Sequence, residues 1–139
     1  MTPKLRVLFL CTHNSARSQM AEGLLRWLGG ERFEAASAGV EPGTLHPLAV
    51  RVMAEIGVDL SAHQAKGVDG LLDREFDYVI TVCDAAAERC PVFPGGARRL
   101  HWSVEDPAKA HGPEADRLAA FRAARDALRA HVEAFVGSV

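Results

Sequence analysis

A cysteine and an arginine separated by five residues carry the first chemical signal in this chain: Cys11-Thr12-His13-Asn14-Ser15-Ala16-Arg17, with Ser18 next. That pattern suits the holding of a tetrahedral oxyanion. In a tight loop, successive backbone N–H groups point inward, and a helix that opens behind them adds positive partial charge. The planar fork of Arg17 can grip two oxygens at once. The same field favours the thiolate of Cys11, which then sits beneath the anion as a nucleophile. Ser18 is placed to donate a hydrogen bond to that thiolate. Cys11, Thr12, His13, Asn14, Ser15, Ala16, Arg17 and Ser18 are therefore the candidate substrate-binding residues.

The spacing C-x5-R-S is that of the loop of cysteine-based phosphatases. Its position after an apolar strand and before an amphipathic helix strengthens the signal. On the loop alone, a core cysteine at a strand end and a surface arginine remain an open alternative. A Walker-type phosphate loop is excluded, because the chain has no G-x-x-x-x-G-K-[ST].

Two more cysteines follow. Cys83 and Cys90 enclose Asp84-Ala85-Ala86-Ala87-Glu88-Arg89, a tract of helix formers that Asp84 can cap or charge at its start. Seven helical positions would separate the two Cα atoms by about 10.5 Å. A disulfide needs them within about 7 Å. Any bond between the two thiols therefore requires the helix to unwind, and Pro91 makes its far end easier to release. Taken as a pair, a strand-end core residue and a surface thiol are the alternative. Cys90 has no anion-binding loop around it and is expected near the ordinary thiol value of about 8.5. Asp106, before Pro107 in a late loop, is placed to protonate a leaving oxygen, although Asp-Pro is also a common turn.

These residues must be positioned by strands and helices. Leu5 to Leu10 reads as a central strand covered on both faces, and Phe33 to Ala38 as a second. Asp77 to Val82 and Arg98 to Trp102 supply the third and fourth. Met20, Leu24, Trp27 and Leu28 form one helical stripe that ends at Gly29-Gly30. Pro47 opens a helix carrying Leu48, Val52, Met53 and Ile56, which Gly57 closes. Residues 59–70 read as loop with one helical turn. Leu118, Phe121, Leu128, Val132 and Phe135 mark a long terminal helix. The alternation predicts an α/β fold, a four-stranded parallel sheet with helices on both faces and the loop after the first strand. Cys11, Cys83 and Asp106 all follow strands, so they are expected at one crevice beyond the strand ends.

With 139 residues and no repeats or linkers, residues 1–139 are expected to form one domain. A formal charge of −2 without a basic stripe argues against a nucleic-acid partner. No stretch approaches the roughly 20 apolar residues of a membrane span, and the start is too short for a signal peptide. The expected setting is the cytoplasm, where three cysteines are more often reactive than structural. The six histidines show no zinc-ligand spacing.

The run from Cys11 to Gly23 resembles the thioredoxin-coupled arsenate reductases, which share the fold of low-molecular-weight protein tyrosine phosphatases. Ser37-Ala38-Gly39, Cys83, Cys90-Pro91, His101-Trp102 and Asp106-Pro107 resemble that family as well, so the likeness spans nearly the whole chain. It implies that Cys11 attacks arsenic while Arg17 and the loop hold the oxygens, and that Asp106 assists the leaving oxygen. It further implies a Cys11–Cys83 disulfide as arsenite leaves, then a Cys83–Cys90 disulfide reduced by thioredoxin as external electron donor. No bound cofactor is implied, and phosphate or sulfate would act as analogues of arsenate. Some members bind potassium through residues matching Asn14, Glu22 and Ser37 plus an aspartate. Lys66 stands in place of that aspartate and its ammonium can replace the cation, so no metal is expected. The phosphatases usually carry an aromatic residue after Asp-Pro, whereas Ala108 follows here, which favours a small inorganic anion. A low-molecular-weight phosphatase is the alternative, and a non-catalytic arsenite sensor a third reading that leaves Asp106 idle.

Overall fold

The computed structural model describes residues 3–139. Leu5–Cys11 forms β1, whose residues 7–11 are all buried. Parallel neighbours flank it on both sides: β2 (Phe33–Gly39) and β3 (Tyr78–Thr81). β4 (Arg98–His101) completes a four-stranded parallel sheet in the order β2-β1-β3-β4. The apolar run of β1 is thus explained by its central place, since a strand covered on both faces has no polar side. The chain leaves β1 for β2 and then passes back across to β3. The carboxyl ends of β1 and β3 therefore border the switch point at which such sheets bind ligands. Right-handed crossovers put the first helix on one face and the β3–β4 connection on the other.

Helix α1 spans Arg17–Gly29, α2 Pro47–Ala54, α3 Asp84–Glu88 and α4 Glu114–Ser138. α4 buries Leu118, Phe121, Leu128, Val132 and Phe135, the stripe expected of it. Phe135 meets Phe33, Tyr78 and Trp102 at ring separations of 5.7, 5.0 and 6.1 Å, and Trp102 in turn meets Phe9 at 5.7 Å. This aromatic chain joins the terminal helix to the sheet. α1 differs from expectation in one residue. Its buried face is centred on Met20, Ala21, Leu24 and Leu25, while Trp27 turns outward under the Arg129 guanidinium at 4.9 Å. A tryptophan stacked on a cation covers apolar surface without entering the core.

Residues 59–70 contain only a 3-10 turn, Val68–Leu71, and a second turn at Pro107–Lys109 was not legible beforehand. β4 is exposed at all four positions and lies at the sheet edge. No helix among the described residues is long and apolar enough to cross a membrane.

α2 begins on His46, whose Nδ1 accepts the Leu48 N–H at 3.1 Å while its ring lies 4.6 Å from that of Phe121. Burial pushes His46 below its ordinary value of 6.5, Arg117 adds to this, and Asp106 opposes it. A lowered histidine is a base that the unfolded chain protonates more readily. Its contribution is complete above about pH 6.5 and is lost as pH falls through the folded-state value. Urea unfolding measured between pH 7.5 and 5 should therefore show stability falling with acid. In His46→Asn, which keeps a capping acceptor but does not titrate, that slope should be smaller. Phe9→Ala, at the centre of the core, should cost about 3–5 kcal/mol in the same assay.

Candidate active site

The loop 11–16 is held by a belt of backbone donors. The carbonyls of Cys11, Thr12, His13 and Ser15 accept from the N–H groups of Val40, Glu41, Gly43 and His46 at 2.8–3.1 Å. A trans peptide points its C=O and the next N–H in opposite directions. With these carbonyls turned outward, the N–H groups of Thr12, His13, Asn14 and Ala16 turn inward. That of Asn14 reaches Cys11 Sγ at 3.2 Å. Asn14 has a φ of 53°, the left-handed conformation that asparagine tolerates best among residues with a side chain.

Gly39 shows how closely the belt and loop meet. A Cβ there would lie 2.7 Å from the Thr12 carbonyl and 2.8 Å from Asn14 N, both backbone atoms that cannot yield. Glycine at this position is a packing requirement, beyond the chain break that the sequence suggests.

Cys11 is buried and Ser18 Oγ lies 2.8 Å from its sulfur. Asn14 Nδ2 donates to that same Oγ at 2.8 Å, which leaves the hydroxyl proton free to face the sulfur. α1 opens at Ala16 without any side-chain cap, so its first N–H groups remain open to an anion. Arg17 Nη1 donates to the Val104 carbonyl at 2.8 Å, and Nη2 lies 3.7 Å from Asp106 Oδ2. The other carboxylate oxygen of Asp106 accepts from Ala108 N at 3.0 Å and caps the 3-10 turn. Thr12, His13, Arg17, Cys83 and Asp106 border one cleft of about 550 Å³ with Lys109 at its rim.

Cys83 is drawn to this cleft by Thr12, whose Oγ1 lies 3.3 Å from its sulfur. The cap of α3 is Cys83 itself, since Sγ accepts Ala86 N–H at 3.4 Å. Asp84 follows as the first helical residue and instead meets His101 Nε2 at 2.9 Å. The helix stops at Glu88, and Arg89 leaves helical geometry at φ −105°, ψ 8°. Cys90 thus lies beyond α3, so the fully helical spacing expected between the two thiols does not hold. Arg89 pairs with Glu41 of the belt, which ties this end of the segment to the loop. All three thiols are free. Burial pushes Cys90 above its ordinary value, partly offset by Arg99, so it is a weaker acid than its sequence context suggested.

The groups that would hold a monovalent cation are already engaged. Asn14 Oδ1 accepts from Lys66 N at 2.8 Å and Gln19 Nε2 at 2.9 Å. The buried Glu22 carboxylate accepts from Ser37 Oγ at 2.7 Å, pairs with Arg26 at 2.6 Å and lies 3.9 Å from the Lys66 ammonium. The chain's own cations balance this carboxylate, and the residues do not fit a potassium site. Burial holds the neighbouring His63 below 6.5, opposed by Glu22 and reinforced by Arg26 and Lys66.

The family model for low molecular weight phosphotyrosine protein phosphatase matches residues 6–139. The chain belongs to that family. Within it, the arsenate reductase of Halalkalibacterium halodurans is 41% identical over 129 residues, 93% of each chain. A solved arsenate reductase in the oxidized state superposes with a TM-score of 0.82 at 30% identity, covering 95% of this chain and 96% of its own. The thioredoxin-dependent arsenate reductase of Corynebacterium glutamicum reaches 0.68 at 30% identity, with 96% of this chain and 64% of the longer one aligned. The α/β fold is thus that of the low molecular weight phosphatases, in their arsenate reductase branch. Gln19, which bonds Asn14 of the loop, and His63, which bonds Gln19, were not singled out by sequence, because both are ordinary polar residues until the fold places them.

Arg17→Lys keeps the charge but loses the two parallel donors. Catalytic efficiency toward an oxyanion substrate should fall by about a hundredfold or more, the usual loss for one preorganised donor. Steady-state kinetics at fixed pH, with folding checked by circular dichroism, test this.

Proposed function

We propose that this chain reduces arsenate to arsenite through a relay of three thiols, with thioredoxin as the external donor, in the reducing setting of the cytoplasm. Arsenate occupies the loop, its oxygens held by the inward N–H groups and by Arg17. The Cys11 thiolate attacks arsenic, and Asp106 supplies the proton with which one oxygen departs as water. Cys83 then attacks the Cys11 sulfur. The S–S bond forms as the S–As bond breaks, and its electron pair leaves with arsenic, now As(III). Cys90 attacks Cys83 and frees Cys11. The remaining Cys83–Cys90 disulfide is reduced by the dithiol of thioredoxin, so two electrons enter for each arsenite released.

The observation that carries this reading is the placement of Cys83. Its sulfur is held 3.3 Å from a side chain of the loop itself, at the head of a five-residue helix with Cys90 just past its end. Hydrolysis of a phosphoester needs Cys11, Arg17 and Asp106 but no second thiol. The segment between the thiols is also built to release. Of α3 only Ala86 is buried, and so short a helix has little stability of its own.

In the presence of thioredoxin and thioredoxin reductase, arsenate should drive NADPH oxidation. Cys90→Ser should yield one arsenite per protein and then stop, trapped as a Cys11–Cys83 disulfide visible by peptide mass spectrometry. Any hydrolysis of p-nitrophenyl phosphate by the reduced variant should be nearly unchanged. Sustained wild-type turnover in Cys90→Ser would refute the relay and leave phosphatase chemistry as the better reading.

A further inference from the structure

One carbonyl of the loop is not held by the belt. Asn14 O accepts instead from a side chain, Gln19 Nε2, at 3.2 Å. By the same peptide geometry this turns the Ser15 N–H inward and completes the run of donors from Thr12 to Ala16. Gln19 is fully buried, and its two Nε2 hydrogens serve three acceptors, Asn14 O, Asn14 Oδ1 at 2.9 Å and Gln64 O at 2.9 Å, so one of them is shared. Its orientation is unambiguous. Two of its partners are backbone carbonyls, which only accept, and the Asn14 oxygen also receives a backbone N–H from Lys66. The amide oxygen of Gln19 must therefore accept.

Its partner is His63, with Nδ1 2.9 Å from Gln19 Oε1. The opposite ring nitrogen lies 3.4 Å from Arg26 Nη1, a group that only donates. His63 thus carries its proton on Nδ1 and gives it to Gln19. From there the direction runs on without a break. Gln19 donates to Asn14, Asn14 Nδ2 to Ser18 Oγ, and Ser18 faces Cys11 Sγ at 2.8 Å.

We propose that Gln19, oriented by His63, is a positioning residue of the oxyanion loop. It sets the Asn14–Ser15 peptide so that one more N–H faces the anion, and it directs the hydrogen-bond chain that ends on the Cys11 thiolate. Neither residue touches substrate. The assignment rests on the reading of Cys11 as the thiolate beneath a bound oxyanion, and its test does not require arsenate turnover.

The test uses full-length protein and two readouts: the dissociation constant of inorganic phosphate by calorimetry, and the rate of iodoacetamide alkylation of each cysteine at pH 7. Gln19→Met keeps length and removes the donors. Phosphate binding and Cys11 alkylation should each fall about tenfold, the scale of one hydrogen bond to a charged group. Alkylation of Cys83 and Cys90 should stay unchanged and so report an intact fold. His63→Leu should move the same two readouts in the same direction by less, and His63→Asn, which restores a donor, should recover them. If Gln19→Met does not fold, the histidine pair decides. Wild-type values for phosphate and Cys11 in His63→Leu and in any folded Gln19→Met would overturn the assignment. A wild-type protein that neither binds phosphate nor alkylates fastest at Cys11 would overturn the oxyanion reading beneath it.

Discussion

The orientation of five consecutive peptide planes governs this molecule. A loop that gathers backbone N–H groups around one point must turn as many carbonyls away from it, and each of these needs a donor of its own. The segment 40–46 supplies four of those donors and Gln19 a fifth. The requirement reaches well beyond the loop. It needs β2 in register beside β1 so that Gly39 stands opposite Cys11. It needs no side chain on Gly39, because the loop backbone occupies that space. It also brings residues 64–66 against the site, through the Gly39 N–H on Lys66 O and the Lys66 N–H on Asn14. The sheet is the frame that makes these distances repeatable.

Gathering so many donors also sets an electrostatic task. Arg17, the loop amides and the start of α1 all favour negative charge at the cleft. Arg17 meanwhile lies beside Asp106, so a cation and a carboxylate share the cleft wall. Behind the loop the balance reverses. Glu22 is a buried carboxylate that would be costly alone, and Ser37, Arg26 and Lys66 satisfy it. Two regions of opposite demand thus sit on opposite ends of the first turns of α1.

How far this was legible in the sequence follows from the range of each interaction. β1, the loop and α1 are contiguous, and their signals of apolar run, C-x5-R spacing and helical stripe act over a few residues. The order of elements then implied a parallel sheet, and the strand ends placed Cys11, Cys83 and Asp106 at one crevice. Trp27 had the right period for the core but faces a cation, a choice made by α4 far along the chain. The end of α3 at Glu88 was hidden because alanine-rich sequence favours continuation, whereas Cys90 lies half-buried against the core. Gln19 and His63 were unreadable because Gln19 serves backbone carbonyls as well as Asn14, and the two residues meet across 44 positions. Such contacts exist only after the fold has formed.

The free edge of β4 has a consequence for life in a crowded solution. An outermost strand presents unpaired backbone groups to which a second chain can add, the usual start of strand-to-strand aggregation. Here that strand reads Arg98-Arg99-Leu100-His101 and is exposed throughout. A second copy laid alongside would bring two guanidinium groups against two more, and their repulsion would oppose the pairing. The strand is also only four residues long, too brief to template a lasting ladder. The edge nearest the thiol segment is therefore guarded by charge and by brevity, so the chain can leave one side of its sheet uncovered without becoming adhesive.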